Sequence, residues 1–126
     1  MKRVAIQGIV GSFHEDAAIK YFNDKIEVVE CKTFTNVCEM MDSDKVDLAV
    51  MAIENSIAGS ILKNYQLIRD YHLRIIGEIY LHIQQNLLVN PGTKMAQITD
   101  IYSHPVAIEQ CAEYIEKYFP NVEKHE

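Results

Sequence analysis

Three short apolar segments, each followed by a polar turn and a helical pattern, constrain the fold of this chain more than any other feature. The segments are residues 3–7, 26–31 and 46–53. Apolar runs of this length suit parallel strands that are covered on both faces. Strand and helix therefore alternate three times, and this order predicts an α/β layer fold with right-handed crossovers.

Residues typical of helix ends support the first two predicted helices. Ser12 offers a capping hydroxyl before a helical pattern that ends at Asn23 and Asp24, and either Thr33 or Thr35 can cap the second helix. A side-chain oxygen at this position accepts a hydrogen bond from a free N–H of the first turn. Helix starts near residue 13, and near residue 34 or 36, are therefore expected.

The run 46–53 is the most continuous apolar stretch, which predicts a central strand buried on both faces. Glu54, Asn55 and Ser56 follow as a polar turn. A third helix with one apolar stripe is predicted from residues at helical spacing. These residues are Ile61, Leu62, Tyr65, Leu67 and Ile68.

After residue 72 the pattern changes. Residues 73–88 alternate irregularly and predict two strands or one bent strand, divided near residues 82–85, and a turn follows at 90–92. Residues 98–102 predict another strand. Ser103, His104 and Pro105 begin a predicted helix that continues to Phe119. Residues 121–126 are too polar to predict an element that completes the second half.

Composition excludes several classes of protein. A formal net charge of -6 argues against nucleic-acid and membrane partners, because both require clustered Lys and Arg. No apolar stretch is long enough for a membrane span or a signal peptide. The three cysteines, Cys31, Cys38 and Cys111, show no metal-ligand spacing. We interpret them as reduced, which favours a cytoplasmic protein.

Three polar turns share one position in the predicted layout. They are residues 8–13, 54–60 and 103–105, and each follows a strand and precedes a helix. Ligands of open parallel sheets collect at this edge. Free N–H groups and the positive end of a helix dipole favour anions there, by about 0.3–1 kcal/mol when the site is exposed. These turns therefore allow even this acidic chain to bind a carboxylated metabolite.

These turns also carry a family resemblance. The segments Gly8-Ile9-Val10-Gly11-Ser12-Phe13, Ile53-Glu54-Asn55-Ser56-Ile57-Ala58-Gly59-Ser60, and Ser103-His104-Pro105 with Gln110-Cys111 resemble three motifs of the prephenate dehydratase family, in the family's order and spacing. Each motif alone is weak, and the three together are specific. The resemblance runs over essentially the whole chain.

The resemblance implies a type II periplasmic-binding-protein-like fold of two α/β lobes, with the active site in the cleft between them. It places the first lobe at residues 1–76 and an incomplete, truncated second lobe at 77–126. The implied reaction converts prephenate to phenylpyruvate, water and carbon dioxide. The implied enzyme uses no cofactor and no metal, and it forms a homo-oligomer.

The resemblance also implies a set of site residues, carried over position by position. Those with catalytic roles are Glu54, Asn55 and Gln110. Those that bind substrate are Ser12, Phe13, Ser56, Gly59, Ser60 and Ser103.

The chain departs from the family pattern in one respect that affects activity. The family's main proton donor is a threonine in a Thr-Arg-Phe or Thr-Arg-Tyr motif, and none of the 126 residues forms such a motif. The chain is therefore expected to be an amino-terminal part of the catalytic domain and to be inactive alone. The family's phenylalanine-sensing domain is also absent. Ile9, Ala52 and Gln85 replace residues common in the family and affect only turn shape.

Less specific interpretations stay open. Glu54 and its neighbours, like Ser103 and its neighbours, also suit ordinary helix caps. A metabolite-binding sensor of the same architecture would show the same turns without turnover.

Arogenate, the amino analogue, is an alternative substrate. Cys111 suits a core position, and four histidines have no partners at ligand spacing. They are His14, His72, His82 and His125.

Overall fold

A three-stranded parallel sheet carries the first part of the molecule. The computed structural model describes residues 1–23, 25–56 and 59–126. Strands β1 (Lys2–Gln7), β2 (Ile26–Cys31) and β3 (Leu48–Ala49) are arranged in the order β2-β1-β3, and both neighbours run parallel to β1. The predicted α/β class with parallel strands is confirmed.

Strand β1 is the central strand. Val4, Ala5 and Ile6 are all completely buried, and their side chains alternate between the two faces of the sheet. Ala5 packs with Val37 in one apolar cluster, while Val4 and Ile6 belong to a second cluster. The apolar side chains of β1 therefore contribute to the core on both faces of the sheet.

The prediction that residues 46–53 form the central strand is wrong. Only Leu48–Ala49 of this run is strand, and it lies at the edge of the described sheet. Most of the run is half-buried, and Val46 is its one buried residue. The longest apolar run did not identify the central strand. A strand is central when it has a hydrogen-bonded neighbour on each side, and only β1 has two neighbours in the described sheet.

The first two helices agree with their predicted starts. Helix α1 (Phe13–Phe22) begins after Ser12, whose hydroxyl accepts a 3.4 Å hydrogen bond from the Glu15 N–H. Helix α2 (Phe34–Asp42) begins after Thr33, which caps the Asn36 N–H at 3.0 Å. Asn23 ends α1 with a left-handed backbone, and the predicted end at Asp24 lies outside the described residues.

A small hairpin and a third helix follow β3. Strands β4 (Glu54–Asn55) and β5 (Gly59–Ser60) pair antiparallel, so the predicted polar turn is a hairpin, and residues 57–58 lie outside the described part. Helix α3 (Leu62–Asp70) occurs as predicted, but its apolar stripe does not. Leu62 is 69% exposed, and the one fully buried residue of the helix is Asn64.

The predicted strands in residues 73–88 are absent from the described structure, in which residues 73–94 contain neither helix nor strand. Ile76 and Leu88 are 65% and 88% exposed. An extended segment becomes a strand only when a neighbouring backbone accepts its hydrogen bonds, and no described strand does so here. The predicted turn at 90–92 is confirmed by a 3.1 Å hydrogen bond from Thr93 N to Asn90 O.

A second group of elements starts with the 3-10 helix Met95–Gln97. Strand β6 (Asp100–Tyr102), helix α4 (Pro105–Gln110), helix α5 (Ala112–Tyr118) and strand β7 (Glu123–His125) follow, and β7 runs parallel to β6.

The helix begins at Ser103, His104 and Pro105 as expected, with His104 as its cap, because His104 Nδ1 accepts from the Val106 N–H at 3.2 Å. Two other expectations for this region need correction. The single predicted helix is divided at Cys111, where the backbone is no longer helical. The polar end of the chain does form a strand, since main-chain hydrogen bonds to β6 do not depend on apolar side chains.

The chain divides into two compact units, Met1–Ile83 and Gln84–Glu126. The predicted lobes at 1–76 and 77–126 stay a prediction. None of the described helices has the length and apolar character needed to cross a membrane. Cys31, Cys38 and Cys111 are free thiols. Burial raises the pKa of Cys31 and of Cys38, which keeps both thiols protonated.

Candidate active site

The candidate site of the first unit starts at one edge of the parallel sheet. Strands β1 and β3 are parallel neighbours, so the segments that follow them leave from the same edge. His14, in the first turn of α1, accepts a 3.3 Å hydrogen bond from the Ala52 N–H through Nε2. The turn after β1 is thereby joined to the backbone that leads into Glu54.

Glu54 has the best-defined contacts among the candidate site residues of this unit. The Ser60 hydroxyl lies 3.0 and 3.1 Å from its two carboxylate oxygens, and the Tyr65 hydroxyl donates to Oε1 at 2.6 Å. The hydrogen bond to Glu54 raises the pKa of Tyr65, since that bond requires the phenolic proton. Hairpin β4-β5 and helix α3 together fix the carboxylate in one orientation.

This arrangement defines what Glu54 can do chemically. A carboxylate that accepts bonds from two hydroxyl groups still has unused lone pairs, and Glu54 is exposed. It can therefore accept a hydrogen bond from a substrate hydroxyl. The two donors also offset part of the repulsion between Glu54 and an anionic substrate.

The neighbours of Glu54 have different environments. Asn55 is half-buried and lies opposite Gly59 in the hairpin, whereas Ser56 and Ser60 are exposed. Gly59 has a φ of +78°, a left-handed conformation that glycine adopts without strain. Hairpin β4-β5 therefore brings Glu54 and Ser60 into direct contact and places Gly59 opposite Asn55.

The turn after β1 differs from the expected anion site. The Val10 N–H donates to Glu30 Oε1 at 2.8 Å, and the Gly11 N–H donates to Glu15 Oε1 at 3.0 Å. Two amides expected to bind a ligand anion are thus occupied by carboxylates of the chain itself. Ser12 is half-buried and serves as the cap of α1, and Phe13 is 40% exposed.

The second unit holds the two other predicted site residues. Ser103 is exposed directly after β6, and its N–H donates to His125 O at 3.0 Å. Gln110 is half-buried at the end of α4, where its Oε1 accepts from Gln85 Nε2 at 3.1 Å. The amide groups of Gln85 and Gln110 orient each other.

Sequence reasoning missed three contacts of this arrangement. Tyr65 was interpreted as part of an apolar stripe, and Asn64 was not considered, although its Nδ2 donates to Ala52 O at 2.7 Å. His14 was interpreted only as a histidine with no partner at ligand spacing. No local pattern indicates these contacts, because each joins a helix to a segment whose position depends on the sheet.

Two open surface depressions lie away from the predicted residues. One, of about 330 Å³, is lined by residues of β2, of α2 and of the turns beside them, such as Lys32 and Glu39. The other, of about 300 Å³, is lined by residues 95–99 and 118–122, with some gaps. None of the candidate site residues contributes to either depression.

Comparisons with known proteins give a consistent result. Residues 4–126 match the family model described as prephenate dehydratase. Arogenate dehydratase 2 of Petunia hybrida is 41% identical over 115 residues, which are 91% of this chain and 29% of that protein. A bifunctional chorismate mutase/prephenate dehydratase of Buchnera aphidicola is 37% identical over 114 residues, which are 88% of this chain and 30% of that protein. The chain therefore spans less than a third of the length of these relatives.

Solved structures show the same architecture. A structure described as a quorum quenching acylase, GqqA, superposes with a TM-score of 0.77 at 27% identity, covering 99% of this chain and 45% of that one. Prephenate dehydratase from Arthrobacter aurescens, solved with L-Phe, has a TM-score of 0.70 at 22% identity, covering 97% of this chain and 40% of that one. The second likeness concerns the fold alone, and it agrees with the predicted periplasmic-binding-protein-like class.

Proposed function

The chain belongs to the prephenate dehydratase family, and from this premise we propose that the protein carrying it converts prephenate to phenylpyruvate, water and carbon dioxide. The observation that supports this proposal most directly is the carboxylate of Glu54, fixed by Ser60 and Tyr65 within a family motif. Phenylalanine biosynthesis is the corresponding pathway.

The reaction requires positioning more than reactive side chains. The bond between the ring and its carboxylate breaks, and its electron pair enters the ring as the ring hydroxyl leaves. A proton joins the hydroxyl to form water, and the new aromatic ring drives the step. Oriented donors and acceptors supply most of what this chemistry needs, and the proposal includes neither metal nor cofactor.

We assign roles within this proposal as the resemblance implied them. Glu54 and Asn55 border the leaving hydroxyl, and Gln110 acts on the same substrate. Substrate contacts come from Ser12, Phe13, Ser56, Gly59, Ser60 and Ser103. Tyr65 is added as a positioning residue because it acts through Glu54.

The preferred substrate is prephenate in this proposal, with arogenate as the competing substrate. Relatives at similar identity carry both names, and the two compounds differ only in a keto or amino group on the side chain. Both compounds therefore belong in the test.

The decisive experiment measures turnover of prephenate by the full-length gene product that contains these residues. We expect phenylpyruvate from prephenate, and no turnover by the 126-residue chain alone, which has no Thr-Arg-aromatic motif. Glu54→Gln should reduce kcat/KM by at least about 100-fold, and Tyr65→Phe by about tenfold. Tyr80→Phe is the matched control, because Tyr80 is 89% exposed.

The outcomes separate the alternatives. Binding of prephenate in calorimetry without turnover by the longer protein would establish the sensor function instead. If Glu54→Gln leaves turnover unchanged, the assignment of Glu54 to the active site is wrong, while the proposed activity still stands. An assay of acylase activity accompanies these measurements, since one solved neighbour is described as an acylase.

The proposal also covers location and assembly. We infer a cytoplasmic homo-oligomer that binds neither nucleic acid nor membranes. Three free cysteines and the net charge of -6 support this inference. Cell fractionation and light scattering test location and assembly separately.

A further inference from the structure

Strands β6 and β7 bring three metal-binding side chains together on the second unit. Asp100 lies opposite Glu123 in the parallel register, and Glu123 and His125 are two residues apart on β7, so their side chains share a face. His125 Nε2 is 2.8 Å from Asp100 Oδ1 and 3.8 Å from Glu123 Oε2. One ligand atom from each residue lies within 4.8 Å of the others.

Two contacts hold this cluster in a defined orientation. The Thr99 hydroxyl donates to Asp100 Oδ2 at 2.6 Å, which leaves Oδ1 directed at His125. The Tyr102 ring stacks on the His125 imidazole, with centroids 4.6 Å apart and planes inclined by 18°. Asp100 and His125 are each held by a neighbouring side chain.

We propose that Asp100, Glu123 and His125 bind a divalent transition-metal ion of the Zn²⁺ type. An imidazole nitrogen and two carboxylate oxygens are ordinary zinc ligands, and the two negative charges balance the ion. Bond lengths of about 2.0–2.2 Å place tetrahedral ligands roughly 3.3–3.6 Å apart. The separations of 2.8 and 3.8 Å from His125 bracket this range, and the carboxylate oxygens of Asp100 and Glu123 lie within 4.8 Å of each other, so side-chain adjustments of about 1 Å suffice.

The bound ion has a structural consequence. Asp100 belongs to β6 and the other two ligands belong to β7, so the metal joins two strands of three residues each. A two-stranded sheet of this size is marginal by itself. The ion would therefore stabilise the second unit, and a water molecule would complete its coordination. This site is independent of the proposed dehydratase activity.

Titration with Co²⁺ and Zn²⁺ tests the proposal on the purified chain. We expect one ion per chain with a Kd of about micromolar magnitude, together with raised thermal stability. Co²⁺ should produce visible d–d bands without the sulfur-to-metal band of a cysteine ligand.

Three variants identify the ligands. His125→Gln and Asp100→Asn should each weaken binding by at least about tenfold, the lower end of losses known even for outer-shell partners. Glu123→Gln should also weaken it, and this variant should fold normally because the Glu123 side chain is 78% exposed. His82→Gln, an exposed histidine outside the cluster, is the control and should bind normally. No saturable binding below about 1 mM, a thiolate band, or equal affinity in Glu123→Gln and the control would overturn the proposal.

Discussion

His14 is a half-buried imidazole that acts as a hydrogen-bond acceptor. Its Nε2 accepts from the Ala52 N–H, and its ring makes an edge contact with Phe34 at 5.3 Å. Burial lowers the pKa of His14 below the ordinary value of 6.5, because a protonated ring would lose hydration. Protonation would also remove the acceptor that holds Ala52. The protonation state of His14 therefore decides whether the backbone that precedes Glu54 keeps this hydrogen bond.

The lowered pKa has a predicted effect on stability. Above pH 6.5 His14 is neutral in both states, and its contribution is fully present. Below pH 6.5 the unfolded chain takes up a proton first, so the free energy of unfolding falls until pH passes the lowered pKa of the folded state. Urea unfolding at intervals from about pH 7.5 to 5 should show this loss.

Two variants isolate the contribution of His14. In His14→Gln an amide oxygen can still accept from Ala52, and the titrating group is gone, so part of the pH dependence should disappear. His82→Gln, at an exposed position, should keep the slope of the parent protein. Equal slopes in the two variants would mean that other groups cause the acid sensitivity.

At the scale of elements, Ala52 connects two helices to the sheet edge. Its N–H is bound by His14 of α1, and its carbonyl is bound by Asn64 of α3 at 2.7 Å. Asn64 is 1% exposed and is the one buried polar side chain recorded among the described residues. Helix α3 is thus positioned by a polar contact, which the search for an apolar stripe could not detect.

Removal of the Asn64 amide should loosen this connection. Asn64→Ala leaves the Ala52 carbonyl without its donor, and a buried unsatisfied group costs about 1–3 kcal/mol. We expect a loss of this size in chemical unfolding, and an altered orientation of Tyr65 next along the helix. Gln66→Ala is the matched control on the exposed face of α3 and should change stability by less than about 0.5 kcal/mol. A comparable loss in both variants would contradict the assigned role of Asn64.

Elements with local end signals were predictable from sequence. The hydroxyls of Ser12 and Thr33 cap α1 and α2 as expected, and β2 occupies the predicted residues Ile26–Cys31. Elements that depend on distant partners were not. Residues 73–88 have strand-like composition but no described partner, whereas polar Glu123–His125 is a strand because β6 pairs with it.

The same distinction applies to the candidate site. The family resemblance selected Glu54 and Ser60, and the structure brings these two side chains into contact. It did not select Tyr65, whose contact with Glu54 depends on how α3 packs after the hairpin. The turn amides bound by Glu15 and Glu30 were also unforeseen, because Glu30 comes from a different strand. The catalytic and binding roles themselves stay predictions.

At the scale of the whole molecule, the two units differ in how much apolar surface they bury. In the described part, the first unit contains nearly all buried apolar residues, and the second contributes only Ile115 and Phe119. Cores of this size rarely stabilise a unit of about 40 residues without further support. The second unit therefore depends on additional contacts.

Self-association is the contact that the exposed residues favour. Leu87, Leu88 and Val89 are 43%, 88% and 49% exposed in a segment without described strand partners. Unpaired extended backbone with adjacent apolar side chains is a template for pairing with another copy. We predict that light scattering will show a mass that rises with concentration up to about 500 µM.

A charge at the most exposed of these positions should prevent the association. Leu88→Lys places an ammonium group where copies would meet, so its mass should stay near that of one chain, or its dissociation constant should rise by at least about tenfold. Leu62→Lys is the control, because Leu62 is 69% exposed on α3 and lies outside the segment. If both variants associate like the parent protein, residues 87–89 do not form the contact. If the parent protein is strictly monomeric throughout, the second unit must obtain its stability within a single chain.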